Sequence, residues 1–147
     1  MINIGIIGLG VGAYHLRGTK DLTNAVVTYV CDTNEEVLKK IAEEYHIQKT
    51  CTDYRDMIAD PTIDAVIVAT PDHLHCEMVT DALRAGKHVL CEKPIALHVD
   101  ECRKMIEVAE EPHLHFEMTV ADLMVDPLEY FDDTAVESLK IDASFGE

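Results

Sequence analysis

No Cys-x-x-Cys pair occurs among the five cysteines Cys31, Cys51, Cys76, Cys91 and Cys102. An odd count with that spacing suggests neither a disulfide framework nor a cysteine zinc knuckle, and it fits a reducing, cytoplasmic setting. Basic residues are scarce: 12 lysines and arginines face 28 aspartates and glutamates, for a formal net charge of −16. Such a surface repels polyphosphates, so nucleic acid is excluded as the expected partner and an anionic cofactor has to be held by local donors. No apolar run approaches the roughly 20 residues of a membrane span, and "MINIGIIGLG" lacks a basic leader region, so neither membrane insertion nor secretion is expected. Low-complexity stretches and internal repeats are missing too. The 147 residues, 48% of them hydrophobic, suit a single globular core.

What the chain does contain begins at its first residues. "INIGIIGLGVGAYHLRGTKDL" reads as a strand from Ile2 to Ile7, a glycine-rich turn, and a helix from about Val11 to Asp21. Gly8, Gly10 and Ala13 fit a G-x-G-x-x-G/A spacing: the first allows a tight turn, the second lets backbone approach a pyrophosphate, and the small third residue lets helix and strand pack closely. Amides at the start of the helix, around Val11 and Gly12, would then face the phosphates. A second apolar run, "AVVTYVCD", ends in Asp32, about 20 residues after the glycines. An acidic side chain there accepts hydrogen bonds from an adenosine ribose and repels a 2′-phosphate, which favours NAD over NADP.

The alternation continues. "NEEVLKKIAEEY" is an amphipathic helix opened by the cap residue Asn34, "IQKTC" a short strand, and "YRDMIAD" a helical turn closed before Pro61. "IDAVIVAT" reads as a buried strand, "DHLHCEMVTDALRAG" as a helix ended by Gly86, "KHVLCEK" as another strand, and "HVDECRKMIEVAEE" as another helix. Strands separated by helices of this length imply an α/β fold with a doubly wound parallel sheet of Rossmann type, whose ligand crevice lies at the carboxyl ends of the strands.

Those ends carry Gly8, Asp32, "TPDHLH" and "CEKP". With "GIIGLG", "ATPDHLHCE" and "AGKHVLCEKPIAL" in this order, residues 1–111 resemble the N-terminal dinucleotide-binding domain of the glucose-fructose oxidoreductase / inositol dehydrogenase / MocA family. The resemblance implies NAD(P) binding and hydride transfer to or from a sugar, polyol or related small molecule. It assigns Gly8, Gly10 and Asp32 to the adenosine half of the cofactor, Thr70, Pro71 and His75 to its middle, and Glu92, Lys93 and Pro94 to the nicotinamide end. Lys93 is the candidate catalytic group, because an ammonium beside a substrate hydroxyl stabilises developing alkoxide as hydride leaves.

After Glu111 the family pattern stops and the second α/β domain, which would shape the substrate pocket, does not follow. Residues 112–147 form an atypical tail instead, in which "PHLHFEMTVADLMVDPLEYF" resembles the C-terminal end of lysostaphin-type zinc peptidases. That resemblance implies His113 as a catalytic residue or zinc ligand and His115 as its companion. A catalytic zinc wants three protein ligands, and the upstream His-x-x-x-Asp that would complete the set does not occur. A peptidase remnant therefore stands as a remote alternative, with no metal expected. In "HLHFEMTV", Leu114, Phe116, Met118 and Val120 alternate with polar residues, the period of a strand with one buried face. The tail is expected to add a final strand to the sheet and then a short helix, with a further strand or helix after it.

Three classes of function follow: an oxidoreductase of this family, a cofactor-binding module with little or no turnover alone, and an interaction protein that uses the fold as a scaffold. Missing the second domain, the chain is expected to expose apolar surface and to self-associate, most simply as a homodimer.

Overall fold

The computed structural model describes residues 1–110, 116–120 and 123–125. Six strands run parallel: β1 (Ile2–Ile7), β2 (Ala25–Cys31), β3 (Lys49–Cys51), β4 (Ala65–Val68), β5 (His88–Cys91) and β6 (Phe116–Val120). A seventh, β7 (Leu123–Val125), pairs antiparallel with β6, and the sheet order is β3-β2-β1-β4-β5-β6-β7. The reversal of direction at β1, from which the chain winds first one way and then the other, is the doubly wound arrangement that the alternating pattern predicts.

Five helices connect the strands: α1 (Gly12–Gly18), α2 (Glu35–Tyr45), α3 (Tyr54–Ile58), α4 (His75–Arg84) and α5 (Val99–Glu110). Local chemistry sets their ends. Asn34 opens α2 by accepting from the amides of Glu36 and Val37 at 3.0 and 3.2 Å, and Asp53 opens α3 by accepting from Arg55 N at 2.9 Å. Such caps satisfy donors that a helix leaves orphaned and contribute about 1 kcal/mol each. Gly86, at φ +77°, closes the turn after α4 in a conformation that a side chain resists.

Helix lengths differ from the sequence expectation in two places. The helix expected from Val11 to Asp21 stops at Gly18 and tightens into a 3-10 turn over Thr19–Asp21, where Thr19 Oγ1 donates to Leu16 O at 2.9 Å and competes with the helical ladder. Likewise the segment after Pro71 makes a 3-10 turn at Asp72–Leu74 before α4 begins.

Two apolar layers sandwich the sheet. On one face α3, α4 and α5 bury Met57, Val79, Leu83 and Met105 against Val66, Val68 and Val89. On the other face α1 and α2 bury Leu16, Leu38 and Ile41 against Ile6, Val30 and Ile67. Among the described residues three helices cover the first face and two the second.

Strand β6 takes the place beside β5, with Phe116 opposite Val89 and Met118 opposite Cys91, where the sequence pattern puts a final strand. β7 was not anticipated, since three residues carry no readable period. The one-sided burial expected of Leu114, Phe116, Met118 and Val120, the short helix after them and the segment that was expected to follow it all lie outside the described residues, as do His113 and His115.

Candidate functional site

Because β1, β2, β4 and β5 are parallel, their carboxyl ends meet along one rim. Backbone hydrogen bonds carry the ladder one step past each strand: Gly8 N donates to Cys31 O, Ala69 N to Ile7 O, and Glu92 N to Val68 O, at 2.8, 2.8 and 2.9 Å. The rim is therefore a continuous shelf made of Gly8, Asp32, Thr70 and Glu92.

Gly8 sits at φ +88°, and a Cβ there would come within 2.5 Å of Ala69 O. Only glycine satisfies both the backbone conformation and the close approach of β4. At Gly10 the reverse holds, since a Cβ would meet nothing within 4 Å, and the residue lies exposed at the mouth of the turn. That open space is where backbone can approach a ligand directly. Close packing of α1 on the sheet falls to Gly12, whose Cβ would meet Ile6 Cγ2 at 2.7 Å, while Ala13, to which spacing assigned this role, is half-buried beside the same apolar layer. Val11, the N-cap of α1, is exposed.

Asp32 is held from two sides. Oδ2 accepts Leu9 N–H at 2.8 Å and Oδ1 accepts Asn34 N–H at 2.9 Å, so the carboxylate bridges the glycine turn and the start of α2. Its own amide donates to Cys51 O at 3.3 Å, which ties it to β3 as well.

After β4, Thr70 and Pro71 lead into the 3-10 turn, and Thr70 Oγ1 donates to Met78 Sδ at 3.4 Å. His75 is the residue that the resemblance carries to the middle of the cofactor. It is only 1% exposed, and its two ring nitrogens lie 2.9 Å from Pro94 O and 2.8 Å from Thr70 O. The ring thus lies between the two loops, with one carbonyl on each side and its N–H donating to one of them according to the tautomer.

Beyond β5, Glu92 Oε1 pairs with His15 Nε2 at 2.6 Å and Oε2 accepts Lys93 N–H at 3.0 Å. Lys93 itself is exposed, and among the described residues no hydrogen bond or ion pair holds its ammonium. The Lys93–Pro94 peptide is cis. Among the described residues a cleft of about 940 Å³ opens beside this end, between α1 and the sheet, with Ile4, Tyr14, His15, Ile67, Leu90 and Lys93 among its walls. His15 carried no signal in the sequence, since its partner is 77 residues away and only the sheet order brings them together.

Asp60 and Tyr54, which do not line this cleft, have displaced titration. Hydrogen bonding to Lys49 and then to Thr62 holds the Asp60 carboxyl well below the usual carboxylate range, and burial followed by the hydrogen bond to Asp81 pushes the Tyr54 hydroxyl up. Among the described residues no three His, Cys, Asp or Glu side chains converge as a metal site, and no helix is long and apolar enough to cross a membrane.

Fold and rim together define a Rossmann-type α/β domain with its site at the carboxyl ends of the strands. Residues 2–120 match the GFO_IDH_MocA family, described as an oxidoreductase family with an NAD-binding Rossmann fold. The chain belongs to that family, and the match runs through β6, past residue 111 and across His113 and His115. It is 36% identical over 107 residues to a myo-inositol 2-dehydrogenase of Thermotoga maritima, covering 72% of this chain and 32% of the relative. Among solved structures it resembles apo scyllo-inositol dehydrogenase from Lactobacillus casei, with a TM-score of 0.77 and 28% identity, over 100% of this chain and 43% of that one. A 3-ketoreductase from Actinomadura kijaniata, in complex with TDP-benzene and NADP, matches with a TM-score of 0.74 and 29% identity over 80% of this chain and 37% of that one. The chain spans about a third of the length of the curated relatives it matches.

Proposed function

We propose that this chain is the cofactor half of a sugar or polyol oxidoreductase, that it binds NAD in preference to NADP, and that alone it turns over substrate slowly or not at all. The relatives named as inositol dehydrogenases support the substrate class. The observation that carries the reading is Asp32: its carboxylate is fixed to Leu9 N–H beside the open backbone of Gly10, placing a negative charge at the edge of the pyrophosphate turn. A ribose diol can donate to such a carboxylate, whereas a 2′-phosphate is repelled by it.

The residues present fit a dinucleotide. Gly8, Gly10, Val11 and Gly12 form the turn over which the diphosphate lies, Asp32 takes the adenosine ribose, Thr70 and Pro71 flank the middle, and Glu92, Lys93 and Pro94 border the nicotinamide end. When bound, the nicotinamide supplies the hydride acceptor or donor. Lys93 places a positive charge where a substrate hydroxyl loses its proton, and Glu92, fastened by His15 and the Lys93 amide, sets the direction of that loop. His75 positions Thr70 and Pro94 without touching the ligand. Self-association through the apolar cleft beside α1 belongs to the same reading.

Calorimetric titration with NAD and NADP tests the cofactor assignment. Tighter binding of NAD, with the preference lost in Asp32→Ala, is expected; equal affinities in the unaltered chain, or a preference that survives the substitution, would reject it.

A further inference from the structure

Cys31 and Cys51 close their strands side by side. They are register partners on the adjacent parallel strands β2 and β3, so both side chains leave the sheet on one face. Adjacent strands lie about 4.8 Å apart, within the roughly 4.4–6.8 Å between Cα atoms that a disulfide spans. Both belong to the layer under α3, Cys31 buried within it and Cys51 half-buried on β3, the strand at the end of the sheet order.

Their surroundings differ in a way that suits a two-thiol reaction. Hydrogen bonding to Cys31 first, and then to Tyr29 and the Met57 backbone, holds the Cys51 thiol below the usual range despite burial and the charge of Asp56. Cys31 is pushed up, first by that same hydrogen bond and then by burial. Burial first, and then Cys51, push the Tyr29 hydroxyl up to about 12. Cys51, the more exposed of the two, is the thiol that a peroxide reaches first, and the buried Cys31 beside it is placed to resolve the oxidised sulfur. Cys76, Cys91 and Cys102 are buried, and burial pushes all three thiols up.

We propose that Cys31 and Cys51 form a reversible disulfide in response to a peroxide, and that this cross-link weakens dinucleotide binding through Asp32. The Cys51 thiolate attacks one peroxide oxygen, the O–O bond breaks, and Cys51 becomes a sulfenic acid as hydroxide leaves. The Cys31 thiol then attacks the Cys51 sulfur, its proton goes to the departing hydroxyl, and the S–S bond forms with loss of water. In sum two thiols and one hydrogen peroxide give one disulfide and two waters. A dithiol reverses the step by taking up the bond as its own cyclic disulfide.

The consequence for the ligand, which rests on the cofactor reading above, follows from connectivity. Asp32 is the next residue after Cys31, and its amide bonds to Cys51 O, while its carboxylate holds the glycine turn through Leu9. An S–S bond of about 2.05 Å pins the ends of β2 and β3 to each other on both sides of that carboxylate, so Asp32 loses the freedom to adjust to an adenosine ribose.

The test treats the purified chain with micromolar hydrogen peroxide, then with dithiothreitol, and follows both thiols and NADH fluorescence. Expected are the loss of two of the five thiols, a mass lower by about 2 Da with the Cys31 and Cys51 peptides joined, and NADH affinity falling about tenfold, with all three reversed by the dithiol. Cys51→Ser should bind NADH normally and show no response; Cys51→Ala serves if the serine variant folds poorly. Iodoacetamide at neutral pH should label Cys51 ahead of the other thiols, and more slowly in Tyr29→Phe. A cross-link that never forms, or one joining other cysteines, overturns the proposal, and so does a Cys31–Cys51 cross-link that leaves NADH affinity unchanged. If the reduced chain binds no NADH, the cofactor reading fails and its redox control fails with it, whereas the mass measurement still reports independently on the cysteine pair.

Discussion

The His15 imidazole meets the Glu92 carboxylate at 2.6 Å and joins the helix after the glycine turn to the strand end that carries Lys93. Their side chains are 23% and 12% exposed, so solvent only partly screens the contact. His15→Ala should lower unfolding free energy by about 1–2 kcal/mol in a urea titration and weaken NADH binding, because the Lys93 loop loses its tether to α1. His15→Gln, which keeps a donor, should recover part of both.

The two glycines of the turn should separate stability from binding. Gly8→Ala forces a side chain into a positive φ and against Ala69 O, and should cost at least about 2 kcal/mol, read as a drop in melting temperature. At Gly10 a Cβ meets nothing, so Gly10→Ala should melt as the unaltered chain does while its NADH affinity falls. A Gly10 variant that binds as before would show that no ligand approaches that backbone.

Replacing His75 should injure the site without removing any ligand contact. His75→Ala takes away the ring between the Pro94 and Thr70 carbonyls, with the one N–H it donates, and opens a cavity, a combined loss of about 2–4 kcal/mol in thermal unfolding. The expected signature is reduced stability together with weakened binding of NAD and NADP alike, since a brace does not read the ribose.

A purified preparation of this chain should oxidise inositol or glucose far below an ordinary rate of roughly 1 per second. Substrate positioning and general base catalysis can each supply several powers of ten, and Lys93 alone does not replace residues that other parts of a longer polypeptide would bring. Steady-state assays with NAD across polyols and sugars make the measurement. Turnover at an ordinary rate, abolished in Lys93→Ala, would reverse the conclusion.

Light scattering at micromolar concentration should give the mass of a dimer. Ile2, Val11, Tyr14 and Leu22 are 44–69% exposed and all line the cleft beside α1, an apolar concentration that a second copy can cover. Leu22→Glu should shift the mass toward a monomer.

How much of this was legible in the sequence depends on whether a feature is local. Gly8, Gly10 and Asp32 could be read because a tight turn, a close approach and an acidic strand end each demand a residue type at a fixed spacing. The caps at Asn34 and Asp53 are local in the same sense, although only Asn34 was singled out. Gly12 shows the limit: spacing chose Ala13 as the small residue, but the rotation of α1 on the sheet turned Gly12 toward Ile6. Neither the His15–Glu92 pair nor the brace at His75 has a one-dimensional signature, because each exists only after β1, β4 and β5 have fallen into register. The register of β2 and β3 likewise makes neighbours of Cys31 and Cys51, a pairing that their separation along the chain does not signal.

The interior position of β1 also dictates an order of events during synthesis. β1 emerges first, yet one of its two neighbours is β4; Asn3 N donates to an Asp64 carboxylate 61 residues further along, at 2.7 Å. Until Ala65–Val68 has left the ribosome, the earliest strand has only β2 on one flank and an unsatisfied edge on the other. Closing so long a loop is slow relative to pairing between near neighbours. The glycine turn, with Gly8 packed close against Ala69, is therefore complete only once β4 has joined the sheet. A nascent chain shorter than about 70 residues should be unable to capture a dinucleotide, however intact its glycines are.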